Sequence, residues 1–374
     1  MQGAIFCPNR IWRIESLLEQ FNALEPYSLA REEKRELLFR ELTELTAFHS
    51  LHCPEYRGIL SVLGFDSGQC HTLEEIPFLP VRLFKNLTLK SIPDQEVFKV
   101  MTSSGTTGSP SRIFLNRENA VLQQKIMLKL LGSFIGKKRL PMLVIDSPEV
   151  VRNRALFPAR GATIIGLEFA ARNMVFALDE KMNLNSEAVS DFLRQYGGGD
   201  YLIFGFTFMV WKHLYDAVES GHLCFDFSGG TLMTGGGWKK LEGLRVSPEQ
   251  FRSRGRQLCG IRRFMDHYGM AEQSGSIFLE CECGHLHSSI YSDMIVRDPM
   301  DFSVCPFGTQ GIIQVVSVLP HSYPGHSLLT EDIGVILGED DCPCGRKGKY
   351  VRILGRIKSA ELRGCSDTYA NQFQ

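Results

Sequence analysis

The chain has 374 residues, of which 44% are hydrophobic and 22% charged. This composition excludes disordered and fibrous proteins and provides ample apolar material for a sizeable core. At about 150 residues per domain, the length suggests two or three units, or one large domain with subdomains. Lys and Arg number 41 and Asp and Glu 42, a net charge of −1, which argues against a dedicated nucleic-acid-binding protein because neutralising phosphates requires clustered cations.

The N-terminal segment follows a helical pattern. Apolar residues within Asn9–Glu25 recur at helical spacing, and Leu38, Leu42 and Leu45 share one face of a second helix. Ser28 is a candidate N-cap for that helix. The pattern predicts a helical N-terminal region over residues 1–75.

After residue 75, short apolar runs alternate with helical stretches, which is typical of an α/β fold. The candidate helices are Glu118–Leu131 and Ser186–Tyr196. The candidate strands are Val97–Thr102, Met142–Asp146, Thr163–Gly166, Tyr201–Phe204, Thr231–Thr234, Ile312–Val318 and Ile333–Leu337. We therefore expect an α/β core at residues 76–279 and a small strand-rich lobe at 280–374.

A loop rich in Ser, Thr and Gly directly follows the first candidate strand. It reads Thr102-Ser103-Ser104-Gly105-Thr106-Thr107-Gly108-Ser109-Pro110. Glycines let the backbone approach an anion closely, and hydroxyl and N–H groups can hold phosphate oxygens. The loop lacks the Gly-Lys-Ser/Thr step of the Walker pattern. We expect a phosphate-binding loop.

This loop resembles the phosphate-loop signature of the adenylate-forming enzymes, the acyl-CoA synthetase and luciferase superfamily, although Ser111 stands where Lys is usual. The resemblance makes Arg112, one position later, the candidate for that cation. Further segments resemble the superfamily's motifs and follow in the same order. They are Thr234-Gly235-Gly236-Gly237-Trp238-Lys239, Asp266-His267-Tyr268-Gly269-Met270-Ala271-Glu272, Thr330-Glu331-Asp332 and Gly355-Arg356.

The resemblance implies a role for each segment. The loop would hold the phosphates of ATP, and the glycine turn would pass the adenine. The Tyr268 ring would stack on the adenine, and its neighbours His267 and Gly269 would belong to the same nucleotide site. Glu272 would hold Mg²⁺, and Asp332 would accept hydrogen bonds from the ribose hydroxyls. Arg356 is a candidate catalytic residue. Ala271 replaces the usual threonine, so one hydroxyl on the phosphate side is missing.

Cysteine usage is the unusual feature of the composition, with 11 cysteines in the chain. We see no signal-peptide pattern at the start and no apolar run of about 18 residues, so we expect a cytoplasmic protein without a transmembrane segment. In a reducing compartment, cysteines are more often metal ligands, nucleophiles or core residues than disulfides.

Cys and His residues form two short clusters with metal-ligand character. They are Cys281-Glu282-Cys283-Gly284-His285-Leu286-His287 and Cys342-Pro343-Cys344. Structural Zn²⁺ takes four thiolate and imidazole ligands, commonly from two such clusters. Reduced thiols in turns are the alternative, and a nucleic-acid zinc ribbon is disfavoured by the neutral charge.

The zinc-containing relatives of phenylacetate–CoA ligase have a similar pattern with a Cys-x₅-His step. This resemblance implies a structural zinc site formed by Cys281, His287, Cys342 and Cys344. Cys283 is the competitor for the place of Cys281.

The end of the chain differs from most adenylate-forming enzymes, which continue into a mobile C-terminal domain. We expect that domain to be absent. Cys365, beside Arg363 and Gly364, is a candidate nucleophile, because a nearby cation favours the thiolate; an ordinary exposed cysteine is the alternative. An adenylating domain followed by such a cysteine resembles the LuxE-type acyl-protein synthetases.

Resemblance to that family implies an enzyme that uses ATP and Mg²⁺ to activate a long-chain fatty acid as acyl-AMP. The acyl group would pass to Cys365 and then to a LuxC-like acyl reductase, with an acyl-transferase as a further candidate partner. The alternatives are a phenylacetate-type acid–CoA ligase and a non-catalytic module that binds a nucleotide or an acyl-adenylate. We expect no nucleic-acid partner.

Overall fold

A computed structural model describes residues 19, 21, 23–103, 110–152, 158–236 and 245–357. It divides into two compact units. The first unit comprises Met1–Lys129, Met270–Ser276 and His287–Gln374, and the second comprises Leu130–Gly269 and Ile277–Leu286. In the described ranges, no helix combines the length and the apolar character needed to cross a membrane.

The helices of the described residues are α1 (Arg31–His52), α2 (Pro54–Val62), α3 (Leu83–Asn86), α4 (Arg117–Ile135), α5 (Glu149–Arg152), α6 (Pro158–Leu167), α7 (Ser186–Tyr196), α8 (Thr207–Met209), α9 (Asp216–Ser220) and α10 (Pro248–Cys259). A π-helical segment, Val210–Tyr215, joins α8 to α9. The 3₁₀ turns are Ser67–Gln69, Leu73–Glu75, Asp94–Glu96 and Ala271–Gln273.

The strands are β1 (Leu79–Pro80), β2 (Lys99–Thr102), β3 (Arg112–Leu115), β4 (Leu140–Val144), β5 (Ala171–Phe176), β6 (Tyr201–Phe206), β7 (Gly230–Gly235), β8 (Arg263–Tyr268), β9 (Phe278–Glu280), β10 (Leu286–His287), β11 (Ser292–Arg297), β12 (Gln310–Ser317), β13 (Ser327–Glu339) and β14 (Lys349–Arg356).

The second unit is built on a parallel sheet with the strand order β5-β4-β6-β7-β8, and β9 pairs antiparallel with β8. Every residue of β6 is buried, as its uninterrupted apolar run predicts for a parallel strand. The chain places β5 on one side of β4 and then returns to place β6 on the other. Open α/β sheets bind ligands at the carboxyl ends of strands beside such a reversal.

The first unit contains the antiparallel strands β11-β12-β13-β14, with β1 parallel to β13. Strands β2 and β3 form a separate hairpin in which Thr102 pairs with Arg112. This hairpin therefore joins the two ends of the segment that contains the Ser/Thr/Gly loop.

In α1, Leu38, Leu42 and Leu45 are buried along one face, as their spacing predicts.

Two local predictions are wrong. Thr163–Gly166 lies in helix α6 instead of a strand, because Ile164 and Leu167, three positions apart, bury one helical face and this packing overrides β-branched propensity. The N-cap of α1 is Ala30, whereas the Ser28 hydroxyl donates to the carbonyl of Glu25. Most of the predicted helix Asn9–Glu25 lies outside the described residues.

Two stacked histidines lie in the core of the first unit. The rings of His49 and His326 are 5.1 Å apart between centroids, and both residues are buried. The Thr46 hydroxyl donates to the carbonyl of Leu42 at 2.8 Å, so the 2.9 Å contact between Thr46 Oγ1 and His326 Nε2 requires a proton on Nε2. His326 is thus held as the neutral Nε2–H tautomer.

We expect the chain to lose stability in acid because of His326. Burial lowers the pKa of His326 from the ordinary 6.5 to about 3, so below pH 6.5 the unfolded state binds more protons than the folded state. Two pH units below 6.5, the loss from this residue is about 3 kcal/mol, at about 1.4 kcal/mol per unit. Urea unfolding between pH 7 and pH 4 measures it. His326→Gln should flatten the slope, and an unchanged slope would contradict this assignment.

Candidate active site

The base of the Ser/Thr/Gly loop is closed by two serines. The Ser103 N–H donates to the carbonyl of Ser111 at 3.2 Å, and the Ser111 N–H donates to the Ser103 hydroxyl at 3.1 Å. Arg112 donates to the Thr88 hydroxyl at 3.2 Å, and its guanidinium lies 5.9 Å from the Phe114 ring centroid. Ser104, Gly105, Thr106 and Thr107 lie outside the described residues.

Glu272 lies in the 3₁₀ turn Ala271–Gln273 and is 7% exposed. The Ser274 hydroxyl donates to the carbonyl of Ala271 at 2.9 Å and closes the turn. Burial raises the pKa of Tyr323, and the negative charge of Glu272 adds to this shift. A carboxylate oxygen is a ligand that Mg²⁺ prefers, so Glu272 fits the role that the sequence assigns to it.

Asp332 and Arg356 are cross-strand partners on β13 and β14. The Thr330 hydroxyl donates to the carbonyl of Ile313 at 2.7 Å and accepts the Asp332 N–H at 3.1 Å, which fixes the backbone at Asp332. Arg356 Nε lies 3.9 Å from Asp332 Oδ1. This geometry places a carboxylate and a guanidinium side by side at one end of the hairpin.

Glu331, between Thr330 and Asp332, bridges two arginines. Its carboxylate accepts from Arg82 Nε at 2.5 Å and from Arg356 Nη2 at 3.2 Å. The bridge restrains the guanidinium of Arg356, whose side chain is 65% exposed. The sequence analysis did not identify Arg82, because it lies 249 positions from Glu331 and no local pattern connects them.

In the second unit, His267 packs over Gly235. The two residues are cross-strand partners on β8 and β7, and His267 Nδ1 donates to the carbonyl of Thr234 at 2.7 Å. Burial lowers the pKa of His267, so the ring is neutral and presents Nε2 as an acceptor. Gly236 has φ 72°, a left-handed conformation that favours glycine. Gly237 lies outside the described residues.

We expect Gly235→Ala to displace the His267 ring. A Cβ at this position would lie 2.0 Å from His267 Cε1, and overpacking of this kind costs about 1–3 kcal/mol of unfolding free energy. Urea unfolding measures this loss. Gly199→Ala is the matched control, because no heavy atom lies within 4 Å of a Cβ there. Equal stability of the two variants would contradict the packing role of Gly235.

Asp266 precedes His267 and Tyr268 on β8. Burial raises the pKa of Asp266 to about 7, and the negative charge of Glu280 adds to this shift. Glu280 accepts the Asp266 N–H at 2.9 Å and forms an ion pair with Arg252. The Tyr268 ring lies 6.2 Å from that of Phe278, and Gly269, which follows β8, is exposed. The carboxyl ends of β7 and β8 thus carry the glycine turn and the Tyr-Gly segment.

The Cys and His clusters meet in the structure. Cys281, His287, Cys342 and Cys344 each offer one ligand atom, and these atoms all lie within 4.8 Å of one another. Cys344 Sγ is 3.3 Å from His287 Nε2. Three thiols and one imidazole at this spacing suit tetrahedral Zn²⁺, with bonds of about 2.0–2.3 Å.

Two similar turns present these cysteines. The Gly284 N–H donates to the carbonyl of Cys281, and the Gly345 N–H donates to the carbonyl of Cys342. Both glycines have positive φ, 77° and 82°. Cys283 is exposed and lies outside the four-residue group, so the geometry favours Cys281 as the ligand from the first turn.

Some predicted site residues cannot be located. Cys365 and Arg363 lie outside the described residues, as do Trp238 and Lys239.

The structure also shows a buried glutamine that no sequence pattern indicates. Gln273 follows Glu272 directly, and its two partners, Val315 and Gly325, lie 42 and 52 positions away.

Comparison with known proteins identifies the family. The family model "Acyl-protein synthetase, LuxE" matches residues 14–374. The chain is 23% identical to the long-chain-fatty-acid–luciferin-component ligase of Aliivibrio fischeri, covering 94% of this chain and 92% of that protein. It is 22% identical to the ligase of the same name from Vibrio harveyi, with coverages of 93% and 91%.

More distant similarity supports the fold. A phenylacetate–coenzyme A ligase of Thermus thermophilus is 29% identical over 112 residues, which is 28% of this chain and 25% of that protein. A crystal structure of 2-hydroxyisobutyryl-CoA ligase in an open conformation aligns with TM-score 0.66 and 18% identity, covering 90% of this chain and 77% of that one. The chain therefore has the adenylate-forming fold and belongs to the LuxE family of acyl-protein synthetases.

Proposed function

We propose that the chain activates a long-chain fatty acid with ATP and transfers the acyl group to its own Cys365. The activation of a fatty acid is supported by the family match over residues 14–374. It is also supported by relatives, aligned over 92% and 91% of their length, that are named long-chain-fatty-acid–luciferin-component ligases. The site residues described above would supply the groups that activation by ATP needs.

In the first step, a carboxylate oxygen of the fatty acid attacks the α-phosphorus of ATP. The new O–P bond forms as the bond to the bridging oxygen of the β-phosphate breaks, and pyrophosphate leaves. Carboxylates are poor acyl donors, and the mixed anhydride gives the acyl carbon a far better leaving group. Mg²⁺ held by Glu272 would offset the phosphate charge.

The remaining residues bind and orient ATP. Thr102 and Ser103, with the loop that follows, would hold phosphate oxygens. The Tyr268 ring would stack on the adenine, and Asp332 would accept from the ribose hydroxyls. Arg356, restrained by Glu331, would place its charge near the phosphates, because a guanidinium suits phosphate geometry.

In the second step, the Cys365 thiolate attacks the acyl carbonyl carbon. A C–S bond forms, the C–O bond to AMP breaks, and AMP leaves. Thiolates are strong nucleophiles and thioesters remain reactive acyl donors. The acyl group would then be handed to a partner acyl reductase. A hydride donor of the nicotinamide class would have to supply two electrons there for the thioester to be released as an aldehyde and a free thiol.

We assign a structural role to zinc at Cys281, His287, Cys342 and Cys344. Four protein ligands leave no position for substrate, which is the pattern of a structural and not a catalytic site. His287 is fully buried, and the Tyr350 ring lies 5.9 Å from it. Zinc there would hold the turn between β13 and β14 to His287 on β10.

The activation step is tested by pyrophosphate release with ATP, Mg²⁺ and a panel of acids. We expect long-chain saturated acids to support release at least tenfold faster than acetate or phenylacetate. A preference for phenylacetate with release of AMP only when CoA is present would favour a phenylacetate-type acid–CoA ligase, which the Thermus thermophilus match suggests. Absence of release with every acid would favour a non-catalytic binding module.

A further inference from the structure

The turn that carries Glu272 is anchored by its neighbour, Gln273. Gln273 is 1% exposed, and its Nε2 donates to the carbonyl of Val315 at 3.2 Å and to the carbonyl of Gly325 at 3.0 Å. Val315 lies on β12, and Gly325 lies in the segment between β12 and β13. One side-chain amide therefore links the Glu272 turn to a strand and to the loop that follows it.

An amide suits this position. Both partners are carbonyl oxygens, and the NH₂ group of glutamine supplies two donors. A carboxylate there would face two acceptors, and an apolar side chain would leave two buried carbonyls without their donor. The need for an amide at this position comes from its two hydrogen bonds and not from its size, since many side chains of similar size would fill the same space.

Further contacts leave the turn little freedom. The Ser276 hydroxyl donates to the Ser317 hydroxyl at 2.5 Å. A Cβ at Gly325 would lie 2.8 Å from the carbonyl oxygen of Glu272 and 2.2 Å from the Tyr323 ring. The backbone of Glu272 is thus packed closely against Gly325, and Gln273 and Ser276 tether the turn through hydrogen bonds.

We propose that Gln273 is a positioning residue that fixes the Glu272 carboxylate for binding Mg²⁺ with ATP. The inference rests on the proposed function, in which Glu272 holds Mg²⁺. Loss of the amide lets the turn shift, and small displacements of a charged group have large effects where geometry is demanding. The effect should fall on the Mg²⁺ dependence of ATP binding and much less on the affinity for ATP alone.

The test is calorimetric titration of the full chain with ATP, with and without Mg²⁺, in buffer free of chelators that would also remove zinc. We expect Gln273→Met to reduce the Mg²⁺-induced gain in ATP affinity by about tenfold. Gln273→Asn keeps the amide on a shorter stem that cannot reach both carbonyls, and it should show the same reduction. This second variant keeps the inference testable if Gln273→Met does not fold.

Gln314→Met is the matched control. Gln314 is a fully buried glutamine on β12. Its NH₂ group donates to the Ser327 hydroxyl and its side-chain oxygen accepts from Arg297 Nε, so its side chain has other partners than that of Gln273. It should retain the wild-type Mg²⁺ effect. An unchanged Mg²⁺ effect in folded Gln273 variants, or an equal loss of the Mg²⁺ effect in Gln314→Met, overturns this inference but not the proposed function. Wild-type protein that binds ATP without any Mg²⁺ effect overturns the proposed function as well.

Discussion

Cys342→Ser should leave the purified protein with well under one zinc ion per chain and lower its melting temperature by about 5–10 °C. A structural zinc site contributes folding free energy directly, because the site exists only in the folded chain. Loss of one ligand therefore costs several kcal/mol, and in a large domain each kcal/mol shifts the melting temperature by about 2 °C. Metal analysis and thermal unfolding of the same preparation measure both effects.

Cys283→Ser provides the control for this prediction. Cys283 is exposed and is two residues from Cys281 but outside the four-residue group. Its replacement should leave both zinc content and melting temperature at the wild-type values. A wild-type protein with clearly substoichiometric zinc, or equal effects of the two substitutions, would contradict the proposed site.

The zinc site was accessible to sequence reasoning because its ligands lie in two short turns. The Cys-x₅-His step selects Cys281 and His287, and the Cys-Pro-Cys turn supplies the other pair. The sequence could not exclude Cys283, since it offers the same thiol two positions from Cys281. Exposure separates the two, and exposure depends on the packing of distant segments.

Most of the fold also follows from local pattern. The predictions of strand β6 and helix α7 are confirmed. Both segments have a regular pattern, an uninterrupted apolar run in β6 and an amphipathic one in α7. The Ile-Ile pair at Ile164 and Ile165 was misleading, since β-branched residues also occur in buried helices. The assignment of Met270–Ser276 to the first unit was beyond prediction, because it depends on partners more than 40 positions away.

The site shows the same division. The glycine turn was identified from its resemblance to the superfamily. The reason for a glycine at position 235 is that the His267 ring packs over it, and this contact exists only when β7 and β8 are paired. Gln273 was missed because a lone glutamine after Glu272 has no periodic or motif signal. Residues that position a site through long-range hydrogen bonds are the part of an active site that a single sequence hides.

Cys365→Ser should abolish acylation of the protein while leaving activation of the acid intact. The first step uses ATP and the residues that bind it, so pyrophosphate release should persist within about twofold. The second step needs a thiolate, and a serine hydroxyl is a far weaker nucleophile at neutral pH. Any acyl-serine that formed would be an oxyester, which resists neutral hydroxylamine.

The most direct test of the account is therefore hydroxylamine-cleavable label on the protein after incubation with ATP, Mg²⁺ and a labelled long-chain fatty acid. Cys224→Ser is the matched control, because Cys224 is an exposed cysteine outside the proposed sites. We predict that wild-type protein and Cys224→Ser carry the label, and that Cys365→Ser carries at least tenfold less while still releasing pyrophosphate. Equal label on Cys365→Ser and wild-type protein would contradict the account.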